Sequence, residues 1–115
     1  MRSSAGDLAL FVADLMADSS RLLTKASVTL MWPADYAHAL AWWGRDAQYG
    51  DRSAEAFQHG GFMRGVRTHV MVFPQHRKAA IVLLNSEQRY GHVLRHLMTT
   101  TLGISDAAFF NLAHV

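Results

Sequence analysis

The sequence predicts an α+β domain in which about four antiparallel strands form a meander flanked by N-terminal and C-terminal helices. Three observations carry that class. Apolar residues recur with a helical period over residues 8–16 and again over 90–98, and an alternation of period two runs over residues 66–73. Extended grammar thus sits between two helical stretches, with no internal repeat and no low-complexity linker.

The first helix opens on Ser4 as cap, with Asp7 placed three residues on to answer it in capping-box fashion. Leu8, Phe11, Val12, Leu15 and Met16 then form one stripe, and Asp18-Ser19-Ser20 ends it. A shorter helix is expected from Thr24 as cap through Met31. Trp32-Pro33 stops it, because proline disfavours the helical region for the residue before it. Ala37 to Trp43 reads as the first strand, and Gly44 to Ser53 as a polar hairpin loop. Glu55 to Gln58 leads into His59-Gly60-Gly61. Val66, Thr68, Val70 and Val72 alternate with Arg67, His69, Met71 and Phe73 as the next strand. A charged turn at Pro74–Lys78 follows. Ala79 to Leu84 is a continuous apolar run, the mark of a strand covered on both faces. Asn85-Ser86-Glu87 is expected to open the last helix, striped by Tyr90, Val93, Leu94, Leu97 and Met98. Gly103 stops it before an apolar tail with Phe109 and Phe110.

Composition narrows the function classes. The chain has 115 residues, half of them apolar and 17% charged, which suits a single small domain over residues 1–115. No apolar run has the roughly 18–20 residues needed to cross a bilayer, and the N-terminal stretch makes a poor secretory signal because Asp7 and Asp14 interrupt it. The compartment is left open, cytoplasmic if Met1 starts the chain. With no Cys there is no disulfide, thiolate metal site or Cys nucleophile. A net charge of +2 without a clustered basic face argues against nucleic acid as a partner.

Hydrolysis through a covalent intermediate needs a nucleophile beside a base. No Ser is followed three residues later by Lys, and none sits between two Gly. No Tyr or Ser is followed two residues on by Asn. Neither a phosphate-cradling loop nor a dinucleotide fingerprint is present, and no cofactor is expected. His92 and His96 lie one helical turn apart, but a catalytic zinc needs three protein ligands and no third lies near, so no metal is expected. His38, His69 and His76 read as strand or turn residues. At least two of Trp32, Trp42 and Trp43 are expected in the core. Arg64, Arg67, Arg77 and Lys78 read as solvated charge, as do Asp46 and Asp51.

His59-Gly60-Gly61 is the local motif with a chemical flavour. Two glycines let a backbone approach a substrate closely, and the N–H beyond them could point at an oxyanion. The same residues also fit a β-bulge or bend with an incidental histidine.

Taken in order, several segments resemble the C-terminal part of the serine β-lactamase-like family of class C β-lactamases, D-alanyl-D-alanine carboxypeptidases and related esterases. Ser3-Ser4-Ala5-Gly6-Asp7-Leu8-Ala9-Leu10-Phe11 is similar to that family's S-T-A-x-D-L-A-x-F helix start. Leu22-Leu23 through Met31-Trp32 is similar to the following segment, and Leu40-Ala41-Trp42-Trp43-Gly44 resembles its Gly-Leu-Gly-Trp strand. Phe57-Gln58-His59-Gly60-Gly61 resembles the H-G-G version of the third motif. His69 to Pro74 and Ala80 to Ser86 are similar to its last two strands.

The resemblance implies a partial β-lactamase/transpeptidase-like fold and a set of roles. His59 would face the substrate, Gly61 would keep the strand edge open, and the Phe62 N–H would be one oxyanion-hole donor. Arg64 in place of a common Pro, and the bulk of Phe62, depart from the family pattern. The family's S-x-x-K nucleophile and its Tyr-x-Asn or Ser-x-Asn motif have no counterpart here, so the chain alone is expected to be inactive. The resemblance also implies an unpaired apolar edge at Ala79–Leu84. Expected partners are therefore the missing N-terminal part of such a hydrolase or a second copy of this chain. The alternative is a non-catalytic binding or self-association module.

Overall fold

The computed structural model describes residues 2–35, 39–49 and 52–103. Elements follow in the order α1 (Ala5–Met16), α2 (Lys25–Met31), β1 (Trp43–Tyr49), β2 (Arg52–Met63), β3 (Val66–Phe73), β4 (Lys78–Leu84) and α3 (Gly91–Leu102), with a 3-10 turn at Pro74–His76 between β3 and β4. The strands form one antiparallel sheet in sequence order, β1-β2-β3-β4. This is a small α+β fold, a four-stranded antiparallel sheet flanked by helices.

Both N-terminal helices start where side-chain oxygens meet otherwise unpaired backbone N–H groups. Ser4 Oγ accepts from the Asp7 N–H at 3.1 Å and donates to Asp7 Oδ2 at 2.9 Å. Thr24 Oγ1 accepts from the Ser27 N–H at 3.1 Å. After α1, Asp14 gathers the turn that leads to α2. Its carboxylate accepts from Ser20 Oγ at 2.6 Å and from the Arg21 and Leu22 N–H groups at 3.0 and 3.3 Å. Those bonds, with the Arg21 charge, hold the Asp14 carboxyl below the ordinary carboxylate range.

The β3 alternation becomes two cores, one on each face of the sheet. Val72 faces a cluster with Val12, Leu15, Trp32 and Phe57, to which α1 and α2 contribute. Met71 and Phe73 face the other, with Ala56, Ala80, Val82, Tyr90, Leu94 and Met98, closed by α3. Register explains the sorting. Phe57 lies opposite Val72, and Met71 opposite Ala80, so cross-strand neighbours share a face. β4 has Ala80 and Val82 buried under α3 while Ala79 packs with the α1–α2 cluster, which bears out the expectation of cover on both faces. Trp32 is buried and Trp42 packs against its cluster, with their rings 5.5 Å apart and edge-on.

Two element boundaries differ from the sequence reading. Residues 39–42 are not a strand, while the stretch read as a hairpin loop is largely β1 and the start of β2, paired from Trp43–Gln58 to Tyr49–Arg52. Backbone pairing sustains those strands despite a polar, Gly-containing composition with little strand propensity. The last helix begins at Gly91, not at Asn85. Ser86 Oγ accepts from the Gln88 N–H at 3.1 Å, closing a local turn, and Glu87 is engaged elsewhere. α3 then ends on Gly103 in the left-handed region, φ 65°, as expected of a glycine stop. Ala37 and His38 and the tail with Phe109 and Phe110 lie outside the described residues, and so do the side chains of Asp46 and Asp51.

Candidate functional site

The hairpin joining β2 to β3 turns on Arg64 and Gly65, the latter at φ 78° where a side chain would be strained. A two-residue turn closes on a hydrogen-bonded pair, here Met63 with Val66. Antiparallel alternation then turns the backbone groups of Phe62 and Gly60 away from β3. On that outer side β1 supplies no neighbour, because its pairing with β2 stops at Trp43–Gln58. Residues 59–63 are thus a half-paired end of β2, with the N–H and C=O of Gly60 and Phe62 directed at the open side.

His59-Gly60-Gly61 sits in unbroken register, opposite Val70, His69 and Thr68, and is neither a bulge nor a bend. His59 is exposed, its ring stacked on Trp43 at 5.3 Å between centroids. Trp43 is 64% exposed, which leaves Trp32 and Trp42 as the two core tryptophans. Phe62 is also 64% exposed, and the Arg67 guanidinium lies 4.8 Å over its ring. Arg67 is therefore half-buried against an aromatic and not free solvated charge. Arg77, read the same way, forms an ion pair with Asp18. A Cβ on Gly61 would come within 2.6 Å of Thr68 Oγ1, so only glycine fits without moving Thr68.

Behind the motif lies a polar chain that the sequence did not disclose. His69, 4% exposed, has Nδ1 3.0 Å from Tyr90 Oη and Nε2 3.0 Å from Gln58 Oε1. Tyr90 Oη also lies within 3.3 Å of the Thr68 carbonyl, so its proton can serve either acceptor. The chain is satisfied with the imidazole neutral or charged. Burial raises the Tyr90 hydroxyl above the ordinary phenol value, an effect the Arg67 charge partly offsets. The one hint in the sequence was parity: His69 shares its face with Met71 and Phe73.

The tip is fastened by Glu87, whose Oε1 accepts from the Gly65 N–H at 2.7 Å. Three of the serines are engaged in local hydrogen bonds. Ser4 caps α1, Ser3 Oγ donates to the Ser4 carbonyl at 3.4 Å, and Ser86 closes its own turn. Among the described residues no three His, Cys, Asp or Glu side chains are grouped to hold a metal, and His92 and His96 are both exposed on α3. No helix among them is long and apolar enough to cross a membrane. A cleft of about 580 Å³ lies at the junction of α1 and α2, lined by residues that include Leu15, Asp18, Lys25 and Trp32 but none from β2.

The half-paired end of β2 can align an extended chain or present an N–H to a carbonyl oxygen. It holds no activated nucleophile. Comparison with protein-family models, with curated proteins and with solved structures returned no match.

Proposed function

We propose that this chain is the C-terminal segment of a β-lactamase-related serine hydrolase, contributing the substrate-side strand of a site whose nucleophile lies on another segment. The observation that supports this reading is the open end of β2. The Phe62 N–H faces away from β3, where among the described residues no strand pairs with it, the position at which the resemblance places an oxyanion donor. In the completed site a serine attacks an ester or amide carbonyl, while Lys and Tyr of the missing motifs move its proton. The negative charge that develops on the carbonyl oxygen is met by the Phe62 N–H, while His59, three residues back on β2, takes the substrate-facing place that the resemblance implies. One such donor is worth about 10²–10³ in kcat. His69, Tyr90 and Gln58 hold β2 and β3 from behind.

The test uses a fluorophosphonate probe and intact-mass analysis. The chain alone should take no adduct. Mixed with a polypeptide carrying the family's S-x-x-K part, it should restore ester hydrolysis and labelling of that polypeptide's serine. A stoichiometric adduct on this chain, or no activity after mixing, refutes the proposal.

A second reading, a non-catalytic binding or self-association module, is favoured by one specific observation at the other side of the sheet. Among the described residues no strand pairs with the outer edge of β4. A dimer that takes no acyl probe would support it.

A further inference from the structure

Resting on that second reading, we infer that the outer edge of β4 pairs antiparallel with β4 of a second copy, about a two-fold axis at Ile81. The occupant is first fixed as a β-strand by hydrogen-bond bookkeeping. From the Met63–Val66 pair, the alternation turns Arg67, His69, Met71 and Phe73 toward β4, where they meet Leu84, Val82, Ala80 and Lys78. The backbone groups of Ala79, Ile81 and Leu83 therefore point outward, three N–H and C=O sets at one repeat. Only an extended chain matches that row.

Charge and size then select a second copy. Pairing centred on Ile81 makes Ile81–Ile81 a hydrogen-bonded pair, flanked on each side by Ala79 against Leu83. Ala80 falls opposite Val82, so on either side of the central Ile81 pair an alanine meets a branched side chain. Lys78, the one charged residue in β4, falls opposite Leu84 and never opposite another lysine. The edge carries no proline and its register with β3 has no bulge, so of the usual guards among the described residues it keeps a single lysine at its start. A net charge of only +2 per copy opposes association weakly. The contact is isologous and closes on itself as a dimer, giving an eight-stranded sheet in which each helical layer faces its own counterpart.

The absence of cysteine gives a clean test of register, because one introduced thiol can bridge only to its copy. A hydrogen-bonded antiparallel pair sets Cα atoms about 5.5 Å apart, within disulfide reach. Ile81→Cys should therefore crosslink to near completion under mild oxidation. Leu83→Cys should not, since two copies of residue 83 stand roughly 13 Å apart along the strands. Sedimentation should show a concentration-dependent dimer for the unaltered chain. Ile81→Pro removes an outward N–H that β3 does not use and should weaken the dimer at least about tenfold while the far-ultraviolet spectrum is kept. A monomer at all concentrations overturns the inference and the self-association reading together. A dimer in which Ile81→Cys fails to crosslink overturns the β4 pairing alone.

Discussion

Tyr90→Phe isolates the value of the buried polar chain, because it removes one oxygen and keeps the ring. The Tyr90 ring packs with Leu94 and Met98 in the α3-side core, and phenylalanine retains those contacts. The loss falls on His69 Nδ1, left without the hydroxyl at 3.0 Å in a side chain that is 4% exposed. The Thr68 carbonyl is spared, since it also serves the β2–β3 ladder. An orphaned buried polar atom costs about 1–3 kcal/mol. With a urea m-value of roughly 1–2 kcal/mol/M for a small domain, the midpoint should fall by about 1 M with m unchanged. Replacing both partners, as in His69→Leu with Tyr90→Phe, should cost less than the sum of the single changes, with a coupling of about 1–2 kcal/mol. Urea titration followed by far-ultraviolet circular dichroism measures all three variants. A Tyr90→Phe midpoint within about 0.2 M of the parent would show that the polar chain contributes nothing, and the argument from burial would fail.

Other expectations follow from the same geometry. Because the folded Asp14 carboxyl titrates below its ordinary value, its contribution is present above about pH 4 and disappears as pH falls through the folded value. Asp14→Asn should therefore lower the melting temperature near neutrality, and the gap from the parent should close in acid; a gap independent of pH would contradict this. Tyr90 has the opposite sign: its folded hydroxyl holds its proton longer, so stability declines from about pH 10 upward as the unfolded chain ionises. Tyr90→Phe should flatten that decline in pH-dependent melts. Gly65→Ala places a Cβ at φ 78° and should cost about 1 kcal/mol, read as a melting shift of roughly 4–8 °C. Leu15→Ala, at a fully buried position under the sheet, should cost about 2–5 kcal/mol.

Local chemistry made much of the fold readable. Ser4 and Thr24 cap helices because their hydroxyls reach backbone N–H groups three residues on, a relation visible in the chain itself. The β3 alternation, the Pro74 turn and the Gly103 stop are equally local. β1 was hidden because residues 44–53 have a loop's composition and form strand only through the partner lying across from them. The start of α3 was hidden because Asn85-Ser86-Glu87 has capping chemistry that is spent on a local turn and on Gly65, far away in sequence. At the candidate site, His59 to Phe62 could be singled out from the sequence. The early end of β1, the Trp43–His59 stack and the Arg67–Phe62 contact could not, since each depends on register. The chain from Gln58 through His69 to Tyr90 joins three elements, and no spacing rule connects them.

The meander has a kinetic side. Each strand pairs with its sequence neighbour, and α3 packs on the strand that precedes it, so the sheet with α3 is assembled from short-range contacts that form quickly. α1 is different: it packs on β4, bringing the start of the chain against a strand formed near its end, and must close a long loop to do so. Trp32 belongs to that α1–α2 layer, and its buried indole N–H has no partner among the described residues. The sheet with α3 should therefore order first and the α1–α2 layer should dock last and open first. Amide hydrogens of α1 should exchange through this partial opening, ahead of those in β3, giving the molecule a fast-opening half and a slow one.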